Sequence, residues 1–140
     1  MTHDSPLATN RKALRDYVVH ESIEAGIMLA GTEIKSVRNR QASLEDSFAR
    51  IDDGDVILYN MHVNPYEQGG RYNLEPKRPR KLLLHRRQIE RLHGLLTQKG
   101  LTLVPLRLYL KHGLAKLELA VCKGKRQFEK RDTIRQRETD

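Results

Sequence analysis

The side chains with the capacity for chemistry are few, and most have a plain structural reading beside the reactive one. Cys122 is the only cysteine; it closes the apolar run Leu119-Ala120-Val121, the ordinary place of a small packing residue rather than a nucleophile. His85 and His93 stand eight residues apart. Zinc-binding histidines on a helix stand about four apart, and no second cysteine exists to complete a set, so no metal is expected. Asp52-Asp53-Gly54-Asp55 is too short for an EF-hand loop and lacks its glutamate, which leaves a solvated turn. Neither a Gly-x4-Gly-Lys-Ser/Thr loop nor a Gly-x-Gly-x-x-Gly turn is present, so no nucleotide cofactor is expected. Glu24, beside Ala25-Gly26 where backbone can approach a ligand, has two readings: an acceptor for base amines or an arginine, or an exposed charge on a strand end. Arg78-Pro79-Arg80-Lys81 joins a semi-rigid basic strip suited to phosphate to the triplet Leu82-Leu83-Leu84. The triplet's usual place is the core, with a base-packing role for one leucine as the lesser reading.

The rest of the chain narrows the partner. With 140 residues and 38% hydrophobic content there is material for one core. The net charge of +8 is unevenly spread: residues 1–70 hold 7 basic and 11 acidic side chains, residues 71–140 hold 19 and 7. The basic residues concentrate in Arg71 to Lys99 and in Lys123 to Arg137, a patch and a separate tail, and a polyanionic partner is expected. Seven aromatics and no tryptophan supply a stacking platform for single strands poorly, so recognition of a folded RNA by backbone and shape is the better match. A lone cysteine and a start without a signal pattern fit a reducing cytoplasm. The longest apolar stretches, such as Ile27–Ala30, are four residues against the roughly 20 a membrane span needs, so no membrane is expected.

These residues are positioned by a mainly β chain. Residues 1–9 read as a frayed, flexible N-terminus. Tyr17-Val18-Val19-His20-Glu21-Ser22-Ile23 reads as a strand, Gly26 as a bend or bulge, and Ile27-Met28-Leu29 as more strand. A short helix starts at Gly31-Thr32-Glu33, with Thr32 as the cap. Asp-Gly between Ser47–Ile51 and Val56–Asn60 predicts a hairpin, and His112-Gly113 a second, between Thr102–Leu110 and Leu114–Val121. Pro65–Pro79 is a long loop, and His85–Lys99 an amphipathic helix stopped by Gly100. Five or six antiparallel strands with two helices suggest a small closed or partly closed barrel, since closure removes sheet edges. From Lys123 onward only Phe128 and Ile134 are large and apolar, so this tail is expected to order only against a partner.

Read together, Asn10-Arg11-Lys12-Ala13, Asp16-Tyr17, Glu24-Ala25-Gly26, Gly31-Thr32-Glu33-Ile34-Lys35-Ser36, Tyr59-Asn60-Met61-His62, Pro65-Tyr66, Arg80-Lys81-Leu82-Leu83-Leu84-His85 and Gly124-Lys125 through Glu129-Lys130-Arg131 resemble the SsrA-binding proteins (small protein B, SmpB) of bacteria. The resemblance runs from Asn10 to about Glu138. It implies an oligonucleotide-binding-type closed antiparallel β-barrel over residues 10–122, with flanking helices and a basic tail over 123–140. It further implies a monomeric, non-enzymatic adaptor that binds the tRNA-like domain of transfer-messenger RNA, stands in for the anticodon arm, and delivers that RNA to stalled ribosomes for trans-translation. By the same analogy Asn10, Glu24 and Leu83 contact the RNA, with Arg11, Tyr17 and Lys81 as neighbours. Gly124, Lys125, Arg126, Phe128, Lys130 and Arg131 would enter the small-subunit decoding centre and mRNA channel against rRNA, as a helix. Some relatives carry His or Tyr then Asp where this chain has Phe128-Glu129. Family tails also continue past the Arg-Glu near position 138 with further basic helical residues, whereas this sequence stops at Thr139-Asp140; if that is a true truncation, RNA binding is expected to survive and tagging to be impaired. Two other classes remain to be weighed: a structural ribosomal protein, and an enzyme on nucleic acid, for which no paired acid and base is found.

Overall fold

The computed structural model describes residues 6–124. In chain order these form β1 (Ala8–Thr9), α1 (Arg11–Asp16), β2 (Tyr17–Ile27), α2 (Gly31–Arg38), β3 (Ala42–Ser43), β4 (Phe48–Asp52), β5 (Asp55–Tyr59), β6 (His62–Val63), a 3-10 turn (Glu67–Tyr72), β7 (Arg80–Leu83), α3 (Arg86–Lys99), β8 (Thr102–Lys111) and β9 (Leu114–Gly124). The fold is mainly β with a few short helices, as expected.

Local chemistry sets the two hairpins. Asp53-Gly54 and His112-Gly113 all take positive φ, between 51° and 82°, the pair of left-handed residues that a two-residue hairpin turn with strand-like twist requires. Asp52 then pairs with Asp55, and Lys111 with Leu114, fixing the registers of β4–β5 and β8–β9. Gly100 caps α3 in the left-handed conformation, φ 62°, as its position after Lys99 predicts.

The antiparallel order β1-β8-β4-β5-β7-β2-β9 returns on itself because β9 also pairs with β8. Six strands therefore make a ring. Its links are unequal: β2–β9 and β8–β9 pair along most of their length, whereas β4 and β8 meet only at Ala49 and Leu103. Inside the ring, Ala25, Ile27, Val56, Leu58, Leu82, Leu103, Leu108, Leu117, Leu119 and Val121 are buried together with Leu92 of α3 and Val37 of α2. Truncating any one of the leucines to Ala is worth about 2–5 kcal/mol. A second, smaller cluster lies where Ala13 of α1 covers Val104, Leu106, Ala120 and Cys122. Burial pushes the Cys122 thiol up to about 11, which fits packing rather than reactivity.

Several expectations are corrected. The frayed reading of residues 1–9 fails from Leu7 onward, because the Leu7 amide donates to the Leu108 carbonyl and Ala8–Thr9 pairs with β8. Arg11–Asp16 forms a helix that no apolar period predicts; Asn10 caps it, accepting from the Ala13 amide at 3.1 Å. Strand β2 runs straight through Gly26, and its irregularity falls between Val19 and Glu21. Thr32 does not cap α2; Glu33 does, accepting from the Ala30 amide at 2.9 Å. Strand β9 continues through Lys123 and Gly124, so the boundary expected after Cys122 falls two residues later. The tail positions Lys125, Arg126, Phe128, Lys130 and Arg131 lie outside the described residues.

Candidate nucleic-acid interface

Because side chains alternate along a strand, burying Ala25, Ile27, Leu82, Leu108 and Leu117 inside the ring forces their neighbours onto its outer face. On β2 these are Glu24, Gly26 and, just past the strand, Met28; on β7 Lys81 and Leu83; on β9 Leu114, Lys116 and Glu118; on β8 Arg107, Tyr109 and Lys111. The registers align them in rows. Glu24, Glu118 and Arg107 form one row; Leu83, Gly26, Lys116 and Tyr109 form the next. The Met28 amide donates to the Lys81 carbonyl, which ties the next row to β7.

The result is an outer face that mixes cations, the bonded carboxylates Glu24 and Glu118, and exposed apolar groups. Leu83 is 50% exposed, Met28 51% and Leu114 61%. Lys81 is paired loosely with Asp55 at 3.4 Å, and Arg107 with Glu118 at 2.5 Å; Lys116 has no ion pair among the described residues. Glu24 Oε2 accepts from the Tyr109 hydroxyl at 2.6 Å, and both oxygens accept long bonds from Lys111 Nζ, 3.3 and 3.4 Å. The Tyr109 bond outweighs partial burial, and Lys111 and Lys116 assist, so the carboxyl is held below the usual range. Burial and the Glu24 bond together push the Tyr109 phenol up from its ordinary value. Glu24 is thus an oriented anion, with Lys111 and Lys116 beside it and Glu118 directly across the ladder.

Of the leucine triplet, Leu82 is buried and Leu83 is the outward one, resting over Gly26. The basic strip divides in the same way. Arg80 is 1% exposed and is no phosphate ligand. Its guanidinium donates to Glu33 Oε2 at 2.5 and 2.8 Å and to the carbonyls of Met61, Arg78 and Pro76. Arg78 spans both oxygens of Glu33, donating to Oε1 at 2.5 Å and to Oε2 at 3.1 Å. Burial works to raise the Glu33 carboxyl, but bonds from Arg78, the Ala30 amide and Arg80 overcome it and hold the group below the usual range. This pairing clamps the end of the 65–79 loop to the start of α2. Within the loop, Asn73 accepts from the Tyr66 amide and donates to the Tyr66 carbonyl, 2.9 and 2.8 Å.

The expected site residues therefore separate. Glu24, Lys81 and Leu83 share the outer face. Asn10 does not reach it: 2% exposed, its amide donates to the Leu44 and Pro105 carbonyls at 3.1 and 3.0 Å, so it positions α1 against the sheet. Arg11 is exposed at the first turn of α1. Tyr17 packs on the smaller core cluster and pairs in register with Gly124, seven residues along β2 from Glu24 and so about 20 Å away at the usual strand rise. Tyr109, Lys111 and Lys116 were not singled out from sequence. A groove of about 1180 Å³ opens beside Gly124, lined by Lys12, Arg15, Phe48, Arg50 and His93 among others, where β4 and β8 barely meet. Among the described residues no group of three His, Cys, Asp or Glu side chains is placed to hold a metal, and no helix is long and apolar enough to cross a membrane.

Fold and surface together define a small β-ring protein with an outer face that offers cations, carboxylates and apolar side chains side by side. The profile of the SmpB protein family matches residues 7–140, and the chain belongs to that family. It is 57% identical over 134 residues to the SsrA-binding protein of Caldicellulosiruptor saccharolyticus, covering 96% of this chain and 85% of the relative. It is 55% identical over 132 residues to that of Geobacillus kaustophilus, with 94% and 85% covered. A solved structure described as "tmRNA-SmpB: a journey to the center of the bacterial ribosome" is similar at a TM-score of 0.70 and 48% identity, over 84% of this chain and 82% of that one.

Proposed function

We propose that this chain is a non-enzymatic RNA-binding adaptor that holds the tRNA-like domain of transfer-messenger RNA and brings it to stalled ribosomes for trans-translation. The similar proteins carry the name SsrA-binding protein, and the similar solved structure is of tmRNA–SmpB and the bacterial ribosome. The observation that carries the reading is the meeting of Glu24, Leu83, Lys81, Lys111 and Lys116 on one face. Cations alone bind any duplex; a carboxylate and an exposed leucine among them favour one shaped RNA over generic phosphate. We read the ring of strands as a barrel of the oligonucleotide-binding type. Within it Glu24, Leu83 and Lys81 are the contacts, and Asn10 acts by holding α1. Gly124 through Arg131 take the ribosomal role, on the strength of family resemblance and tail composition.

The test is competition. Labelled transfer-messenger RNA bound to the chain should be displaced by the unlabelled RNA at far lower concentration than by a generic RNA duplex of equal charge. Equal competition removes the reading. A structural ribosomal protein would instead co-purify with every small subunit, and recovery at one copy per subunit from cells lacking transfer-messenger RNA favours that class.

A further inference from the structure

The ring of strands has one gap. Past the Ala49–Leu103 pair, β4 has no strand beside it on the β8 side among the described residues, and an uncovered strand edge readily takes another segment of chain. The groove of about 1180 Å³ opens there, between β4, the start of β8, α1 and α3. Its floor is apolar. Ile51, Leu96 and Leu101 line it and are only partly buried against the main core, and Phe48 beside them stacks on Tyr59 with ring centroids 5.5 Å apart.

The rim decides what the groove can take. It carries three cations, Lys12, Arg15 and Arg50, and three carboxylates, Asp16, Asp46 and Asp52. Equal numbers of both signs give a polyanion no net attraction, so this groove suits a peptide of mixed charge with an apolar anchor. Lys12 pairs with Asp46 at 2.8 Å and Arg50 with Asp52 at 3.7 Å, and all four side chains are at least 43% exposed. The carboxylates therefore stay open to further cations.

A segment of that composition is attached to the groove wall. Gly124 lines the groove, and the sequence continues from it as Lys125-Arg126-Gln127-Phe128-Glu129-Lys130-Arg131. Four residues reach at most about 14 Å, enough for Phe128 to enter the groove. So short a tether sets an effective concentration of about the millimolar range, and weak docking suffices.

We propose that in the free chain residues 125–131 dock in this groove, with Phe128 on the apolar floor and the basic side chains along Asp16, Asp46 and Asp52. Docked in this way, four basic side chains are withheld from other polyanions until a tighter site draws them out. Docking requires no RNA, so its failure would leave the proposed function standing.

Magnetic resonance and proteolysis of the full chain without RNA test it. Nuclear Overhauser contacts are expected between the Phe128 ring and the methyl groups of Leu96 or Leu101. Trypsin reads the same equilibrium, because the segment holds Lys125, Arg126, Lys130 and Arg131. Phe128→Ala removes the anchor, and Thr97→Trp fills the groove from an exposed position on α3. Cleavage follows the open population when opening is fast, so each variant should speed cleavage within 125–131 by about ten-fold. Thermal melts check folding, and Phe128→Ala alone decides the matter if Thr97→Trp is unfolded. Absence of the Overhauser contacts overturns the inference, as does a cleavage rate in Phe128→Ala equal to the native one. A native rate that is independent of protein concentration supports docking within one chain. A rate that rises on dilution places the segment in a second copy and overturns it.

Discussion

Leu83 stands directly opposite Gly26 across the β2–β7 pair, so close that a Cβ on Gly26 would stand 3.1 Å from the Leu83 Cβ, tighter than ordinary contact. The smallest residue on one strand thus sets the height of the most exposed leucine on the next. Gly26→Ala should lift or rotate Leu83 at a cost of about 1–3 kcal/mol, the range for overpacking. It should weaken RNA binding several-fold, and Leu83→Ala should weaken binding with a smaller loss of stability because the side chain is half exposed. Anisotropy titrations beside thermal melts separate the two effects.

The Glu33–Arg80 pair is buried on both sides, at 4% and 1% exposure. Glu33→Gln or Glu33→Ala leaves the Arg80 charge uncompensated and should destabilise the fold by about 3–5 kcal/mol, read as a lowered urea midpoint. The pH dependence has a definite sign. The folded carboxyl titrates below its unfolded value, so its contribution is present above the ordinary carboxylate range and is lost as pH falls through the folded value. Stability of the native chain should decline on the acid side, and that decline should flatten in Glu33→Gln.

Asn10 separates fold from contact. Asn10→Asp keeps the acceptor for the Ala13 amide but loses the donors to the Leu44 and Pro105 carbonyls. It should cost about 1–3 kcal/mol through unsatisfied or repelled buried groups. At a temperature where the variant remains folded, its affinity for the RNA should equal that of the native chain. A specific loss of affinity in a fully folded variant would assign Asn10 to the contact surface.

Phosphate contact leaves a signature in salt. Lys116→Ala and Lys111→Ala should each reduce the slope of log affinity against log salt by about 1 if the ammonium neutralises one phosphate. Lys12, which holds Asp46 at 2.8 Å near the other end of β2, should leave the slope unaltered when changed to Ala.

Cys122 reports on opening of the smaller core cluster. With its thiol pushed up to about 11 and the side chain buried, it should resist a disulfide reagent at pH 8 in the native chain and react promptly in urea. Rapid reaction without denaturant would mean that α1 lifts readily from β8 and β9.

What could be read from sequence depended on how local its cause was. The two hairpins and the end of α3 were legible because Asp53-Gly54, His112-Gly113 and Gly100 act within one turn. The helix α1 is only six residues long, and its cap at Asn10 is the one local sign of it. Composition alone groups Arg80 with Lys81 as surface charge, but Arg80 is buried. The period of two along Arg80-Lys81-Leu82-Leu83 would have placed Arg80 inside with Leu82, and Lys81 outside with Leu83. The role of Gly26 depends on a neighbour 57 positions away. Tyr109 and Lys111 reach Glu24 across 85 and 87 positions, so only strand register brings them together.

The long β2–β9 ladder has Glu24 opposite Glu118 and Tyr17 opposite Gly124. It therefore acts as a spacer of set length between the outer face around Glu24 and the Tyr17–Gly124 end of the ladder. Hydrogen-bonded strands resist stretching, so any movement of the Glu24 end carries the Tyr17–Gly124 end with it. Lengthening both strands by two residues would move the two apart by about 6–7 Å without turning either surface over.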